Sequence, residues 1–141
     1  MLGMKMKFWK VAMKPGKPLA FGIIQGIPVF GLPGNPLAVL VGLHEFALPA
    51  LRRLAGCPED ACRPLLRLPL RCDVEARGPR RHYLLGRLAS FDSGTAIVPV
   101  PNSGSSDFVA GCKADGAIVM PDGVSSLPAG TVVDFRPWRT L

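Results

Sequence analysis

The sequence predicts an α/β segment followed by an all-β unit. Three observations carry this expectation. Sixteen glycines and fifteen prolines among 141 residues punctuate apolar runs too short to be helices. One stretch alone, Leu37 to Leu54, repeats apolar residues at three- and four-residue steps over a helical length. Beyond residue 64, five short apolar or alternating runs alternate with turn groups, the pattern of a small barrel or sandwich.

In order along the chain, Phe8 to Met13 alternates weakly and is bounded by Pro15 and Gly16, which predicts a short strand. Leu19–Ile24 and Ile27–Leu32 flank Gln25-Gly26 as a hairpin, and Pro28 demotes the second run to an edge or an atypical strand. Asn35 is the predicted helix cap and Pro36 suits the first turn, where no backbone N–H is missed. The stripe of Leu37, Leu40, Val41, His44, Ala47, Leu48, Leu51 and Leu54 should be buried, with a kink at Pro49 and a stop at Gly56. His44 on that stripe reads as a buried, hydrogen-bonded side chain before it reads as a ligand. "GCPEDACRP" reads as a linker. The predicted strands after it are Leu65–Val74, Tyr83–Ser90, Thr95–Val100, Gly116–Met120 and Thr131–Phe135, with a short helix within Ser105–Lys113.

Composition narrows the function classes. Hydrophobic residues make up 48% and charged residues 19%, enough apolar material for a core. No run reaches 18 uninterrupted apolar residues and the first ten residues lack a signal-peptide core, so a soluble, cytoplasmic protein without membrane contact is expected. Cys57, Cys62, Cys72 and Cys112 contain no C-x-x-C pair, which favours reduced thiols over a zinc site. The net charge of +7 is uneven: Lys5, Lys7, Lys10, Lys14 and Lys17 all precede the first acidic residue, Glu45. Such a field attracts anions.

Two segments are candidate anion sites. In "KPGKP", Lys14 and Lys17 flank a Pro-Gly turn, and Lys10 lies four residues earlier, on the same side if the strand is continuous. In "GLPGNP", Gly31 and Gly34 permit close approach to a ligand and the helix start directs its positive end outward. A ligand-free strand-to-helix turn is the plain alternative for the second. The run "ARGPRRHY" offers Arg77, Arg80 and Arg81 to a phosphate backbone, although Asp73 and Glu75 nearby favour a solvated turn and argue against specific nucleic-acid binding. No G-x-S-x-G elbow and no carboxylate pair near the lysines is present.

With these residues in place, "FWKVAMKPGKPLAFG" and "VFGLPGNPLAVLVGLHEFALPALRRLAG" resemble the C-terminal part of the MoeA family, the molybdopterin molybdenumtransferases related to the gephyrin E domain. "GRLASFDSG" and "VPVPNSGSSDFVAGCKADGAIVMPDGVSSLPAGTVVDF" extend the resemblance into the second half. It implies residues 1–56 as the end of a three-layer α/β pterin-binding domain, 57–64 as a linker and 65–141 as a small β-barrel domain. It also implies insertion of molybdate into adenylated molybdopterin with release of AMP, in a full-length homodimer. Lys10, Lys14 and Lys17 would hold anionic groups, while Pro33, Gly34, Asn35 and Pro36 would shape the pterin pocket. Mg²⁺ is the implied cofactor, with ligands in an N-terminal portion that these residues lack, so the isolated chain is expected to be inactive. The family's Gln-Gly-Ser reads Ser103-Gly104-Ser105 here. The rival reading is a non-catalytic module whose β domain docks a protein partner.

Overall fold

The computed structural model describes residues 3–138. Its first part is a three-stranded antiparallel sheet in the order β1-β3-β4, formed by β1 (Lys5–Trp9), β3 (Ala20–Ile24) and β4 (Ile27–Gly31), with β2 (Met13–Lys14) leaving it. The hairpin expected at Gln25-Gly26 is present. Both residues have positive φ, 48° and 83°, the twist a two-residue hairpin turn requires. Pro28 lies on the edge strand, where its missing N–H costs no ladder bond.

The single strand expected over Phe8–Met13 is instead broken. Lys10 adopts φ 70° and Val11 N–H turns back to the Lys17 carbonyl at 2.9 Å, so the chain leaves the first sheet. β2 then pairs in parallel with a strand of the second half, Met13 opposite Arg81 and Lys14 opposite His82.

The helix runs as α1 (Pro36–Gly42), a π-helical turn (Leu43–Ala47) and α2 (Leu48–Leu54). The kink expected at Pro49 takes the form of that widened turn: Leu48 N–H donates five residues back, to the Leu43 carbonyl. The wider turn makes room for a ring that would otherwise crowd the Glu45 carbonyl. Gly56 follows the helix, its N–H bonded to the Arg53 carbonyl. The apolar stripe is buried only in its first half. Leu37, Val41 and Ala47 are inside, but Leu51 and Leu54 are 57% and 68% exposed: the short helix Glu59–Cys62 meets α2 on the side of Arg52, whose Nη1 donates to the Cys62 carbonyl at 3.1 Å, and leaves those two leucines uncovered. His44 is half-buried and stacks on Trp138, with ring centroids 5.8 Å apart.

A short α3 (Glu59–Cys62) follows, then β5 (Leu66–Pro69), β6 (Val74–Glu75), β7 (Arg81–Phe91), β8 (Gly94–Pro99), α4 (Phe108–Lys113), β9 (Gly116–Val119), β10 (Ser126–Leu127) and β11 (Val132–Pro137). The main sheet has six strands ordered β2-β7-β9-β11-β5, with β8 also on β7, while β6 and β10 pair separately. It curls around Phe135, Ile97, Ile118 and Met120, all at most 1% exposed. A Cβ at Gly116 would lie 2.3 Å from the Arg136 carbonyl oxygen and 2.6 Å from the Phe135 ring, so only glycine lets the strands wrap that side chain.

The expected barrel does not close. β5 ends at Pro69, and beyond it the rolled sheet meets β8 at one bridge, Leu70 to Ile97, with Arg71 N–H on the Ile97 carbonyl at 2.8 Å. A proline at the seam and a single bridge leave an open, strongly curled sheet. Likewise, the described residues of the first part build one sheet and one helix, and do not make three layers.

The two parts share their core. Met13, Leu19 and Val41 pack with Tyr83 and Ala117, and Leu37 packs with Leu85, Ala110 and Ala114. The π turn places Glu45, 5% exposed, at this junction. Its carboxylate accepts from Arg136 Nε at 2.7 Å, from the Arg63 guanidinium, and from the Tyr83 hydroxyl at 3.2 Å. Arg136 Nη1 in turn donates to the carbonyls of Arg63 and Pro64. Burial first, and then the Glu45 charge, pushes the Tyr83 phenol up to about 12.

Candidate functional site

A cavity of about 810 Å³ opens between the two parts. Its first wall is the turn after β2. Gly16 has φ 112°, its carbonyl accepts from Leu19 N–H at 3.1 Å, and a Cβ there would lie 2.2 Å from the terminal methyl of Met13. Met13 is 1% exposed and packed on every side, so glycine is what seats the turn on it. Lys14 and Lys17 are thereby carried to the rim, beside Pro15 and Pro18.

The second wall comes from the start of α1. Pro33 and Asn35 border the cavity, Gly34 has open space where a side chain would project, and Pro36 begins the helix. Asn35 has the extended backbone of a cap, yet its side chain makes no cap hydrogen bond. Its Nδ2 donates to Ser105 Oγ at 3.0 Å, while Leu37 N–H donates to the Ser105 carbonyl at 2.9 Å. The expected outward-facing helix end is therefore partly spent on the protein itself. Asn35 acts as a latch between the helix and the loop over residues 102–105.

That loop is the third wall. Asp107 folds it: one carboxylate oxygen accepts from Ala110 N–H at 3.0 Å, capping α4, and the other accepts from the Ser103 N–H and hydroxyl. Those bonds, the Ala110 one foremost, hold the Asp107 carboxyl below the usual range. Asn102, Ser103, Gly104 and Ser105 all border the cavity as a result.

The fourth wall comes from the run that the sequence offered as a phosphate grip but favoured as a solvated turn, and its convergence with the lysines was not legible there. Arg77 and Arg80, from the run expected to be a solvated turn, border the same cavity as the lysines. Arg80 is steadied by a bond from Nη1 to the Met13 carbonyl at 3.3 Å. Arg81, next in sequence, faces elsewhere and pairs bidentately with Asp122 at 2.9 and 2.5 Å, which raises its pKa. The three arginines thus do not share one stripe, contrary to what a backbone-gripping cluster needs. A sequence signal existed in the β-period alternation of Arg80, His82 and Leu84, but it pointed to no cavity without the β2–β7 pairing.

Lys10 stands apart from the cavity wall. Its ammonium lies 4.1 Å from the centroid of the neighbouring Trp9 ring. The expectation that it shares a side with Lys14 fails because no strand runs between them.

Electrostatically the cavity is one-sided. Among the described residues, Lys14, Lys17, Arg77 and Arg80 border it against a single carboxylate, Glu75. Beneath them His82 is 4% exposed, and its Nε2 is buried without a hydrogen-bond partner among the described residues. Burial first, then the Lys14 charge, lowers the His82 pKa from its ordinary value, so a neutral ring lies under the cationic rim at pH 7. This arrangement can neutralise an oxyanion with fixed point charges and hydroxyl donors, but it contains no nucleophile–base pair. Among the described residues no group of three or more His, Cys, Asp or Glu could hold a metal ion.

The family model described as "MoeA C-terminal region (domain IV)" matches residues 67–138, and that of a "Probable molybdopterin binding domain" matches residues 1–53. The chain is 30% identical over 138 residues to the molybdopterin molybdenumtransferase of Haemophilus influenzae, covering 97% of this chain and 34% of that protein. With the enzyme of the same name from Staphylococcus aureus strain COL, identity is 29% over 128 residues, 91% of this chain and 30% of that one. The chain thus spans about a third of the length of the curated relatives it matches. A molybdopterin biosynthesis MoeA protein from Pyrococcus horikosii superposes with a TM-score of 0.80 at 30% identity, over 98% of this chain and 33% of that one. A molybdenum cofactor biosynthesis protein from Pyrococcus furiosus shares the fold, with a TM-score of 0.76 at 21% identity over 95% of this chain and 46% of that one.

Proposed function

The chain belongs to the MoeA family, and from that premise we propose that it forms the oxyanion-holding cleft of a molybdopterin molybdenumtransferase. One observation supports this above others: four cationic side chains drawn from distant parts of the chain border one cavity with one carboxylate. The ligands proposed are molybdate and the phosphate-bearing part of adenylated molybdopterin. Lys14 and Lys17 supply compact charges, Arg80 a planar fork suited to two oxygens of one anion, and the hydroxyls of Ser103 and Ser105 adaptable donors. Pro33, Gly34, Asn35 and Pro36 shape the adjoining wall, and Lys10 contributes only to the long-range field.

Held in this way, molybdate meets the two dithiolene thiols in fixed geometry and exchanges oxygen, released as water, for their sulfurs. A water molecule cleaves the phosphoanhydride, so that AMP departs and the phosphate stays on the pterin. The described residues do not fit a Mg²⁺ site, which takes its ligands from carboxylates and substrate phosphates. We assign those ligands to the portion that the longer relatives carry. The same portion would complete a third layer on the first sheet and the homodimer. By this reading the 141 residues alone bind the anion but do not release AMP.

Equilibrium dialysis with molybdate tests the cleft. Arg80→Ala and Lys14→Ala each lose a charge-assisted contact and should weaken binding about tenfold or more, whereas Lys10→Ala should leave it within about twofold. Equal affinity in all three variants would refute the assignment.

A further inference from the structure

Glu75 is the part of the cavity that oxyanion binding leaves unexplained. An anion site gains nothing from a carboxylate, yet Glu75 borders this one, two residues before Arg77. Nor is it there to pair with the cations. Asp73, Asp107, Asp115 and Asp122 each accept a hydrogen bond from a protein donor. The Glu75 side chain makes no hydrogen bond or ion pair among the described residues. Its backbone is held by the β6–β10 pairing, Glu75 opposite Ser126, and by Ala76 N–H on the Ser125 carbonyl at 2.7 Å. The position is therefore fixed while the carboxylate stays available. Lysine and arginine only donate, and serine and asparagine do both, so among the described residues Glu75 is the one acceptor-only side chain on the cavity wall.

We propose that Glu75 determines which anions the cavity accepts, by taking hydrogen bonds from an N–H edge of the ligand. The ligand class is then an oxyanion carried by a ring with two adjacent N–H donors, as on an aminopyrimidinone, whose two donors match the two oxygens of a carboxylate. A bare oxyanion fills only the cationic part. The selection is double: the cations reject ligands without the anion, and Glu75 repels anions that lack the donor edge. This rests on the reading of the cavity as the anion cleft of a molybdopterin enzyme, which a bare-oxyanion measurement tests separately.

The experiment is calorimetric titration of the full chain and of Glu75→Gln with three probes in EDTA-containing buffer. The probes are molybdate, pterin-6-carboxylate, and lumazine-6-carboxylate, which has a carbonyl where pterin has its amino group. The wild-type chain should prefer pterin-6-carboxylate to lumazine-6-carboxylate about tenfold, roughly the loss of one charge-assisted hydrogen bond. Glu75→Gln should abolish that preference while binding molybdate as tightly as the wild type or more tightly. Glu75→Asp should retain part of it, which shows the carboxylate rather than the fold at work. Unchanged preference in Glu75→Gln overturns the proposal while leaving the anion cleft standing. A Glu75 effect that appears only when Mg²⁺ replaces EDTA also overturns it, in favour of a cation bridging carboxylate and anion. Absence of molybdate binding to the wild type overturns the cleft itself, and the proposal with it.

Discussion

Replacing Glu45 with alanine should be the most damaging single change outside the apolar core. The carboxylate is 5% exposed and holds Arg136, which is 7% exposed, through a 2.7 Å bond. Removing it strands the Arg136 Nε donor and the Tyr83 hydroxyl in the junction between the two parts. Breaking a buried pair by deleting one partner costs about 3–5 kcal/mol, against a total stability of about 5–15 kcal/mol for a domain. At roughly 2–4 °C per kcal/mol for chains of this size, Tm should fall by about 6–20 °C. Arg63→Ala removes a partner whose side chain is 46% exposed and can be replaced by water, so it should cost about 1 kcal/mol or less. Thermal and urea unfolding followed by circular dichroism would measure both, and a Glu45/Arg136 double-mutant cycle isolates their coupling. A loss below about 1 kcal/mol for Glu45→Ala would show that the network in solution is open to water and that the junction rests on apolar packing alone.

Other consequences follow from the same geometry. Gly116→Ala sets a methyl against backbone and the Phe135 ring, and should destabilise by about 1–3 kcal/mol on urea unfolding. Gly16→Ala strains a φ of 112° and displaces buried Met13, so both Tm and molybdate affinity should drop. The Tyr83 phenol titrates near 12 when folded and near 10 when unfolded, so its share of stability is full below pH 10 and lost as pH rises from about 10 to 12. Glu45→Gln removes one cause of that shift and should move the phenolate absorbance transition downward. The two histidines act at the other end. Burial lowers both the His44 and the His82 pKa, so the unfolded chain binds more protons and stability falls as pH drops below about 6.5. His44→Gln and His82→Gln should each flatten that decline in Tm between pH 7 and 5.

Much of this was legible in the sequence because local rules governed it. Gln25-Gly26, the Pro36 helix start, the Gly56 stop and the helix ending at Lys113 are short-range decisions made by turn chemistry and capping. What escaped depended on contacts between distant residues. Nothing near Met13 announces a parallel pairing with Arg81, yet that pairing brings Lys14 and Arg80 to one cavity. Asn35 satisfied every local criterion for a cap, and a loop seventy residues away claimed its side chain. Leu51 and Leu54 fitted the helical stripe but remain exposed, since periodicity records which face is apolar and not what covers it. The resemblance named the family, whereas the second cationic wall and the lone carboxylate emerged only from the fold.

The central claim is that the cleft between the two parts holds an oxyanion, and a crystal of the chain grown with molybdate tests it most directly through molybdenum's anomalous scattering. One dominant peak is expected in the cavity, within hydrogen-bonding distance of Lys14 or Lys17 on one side and of Arg80 on the other. A peak confined to the surface lysines of β1, or no peak in the cavity at molybdate concentrations that saturate binding in solution, would contradict it.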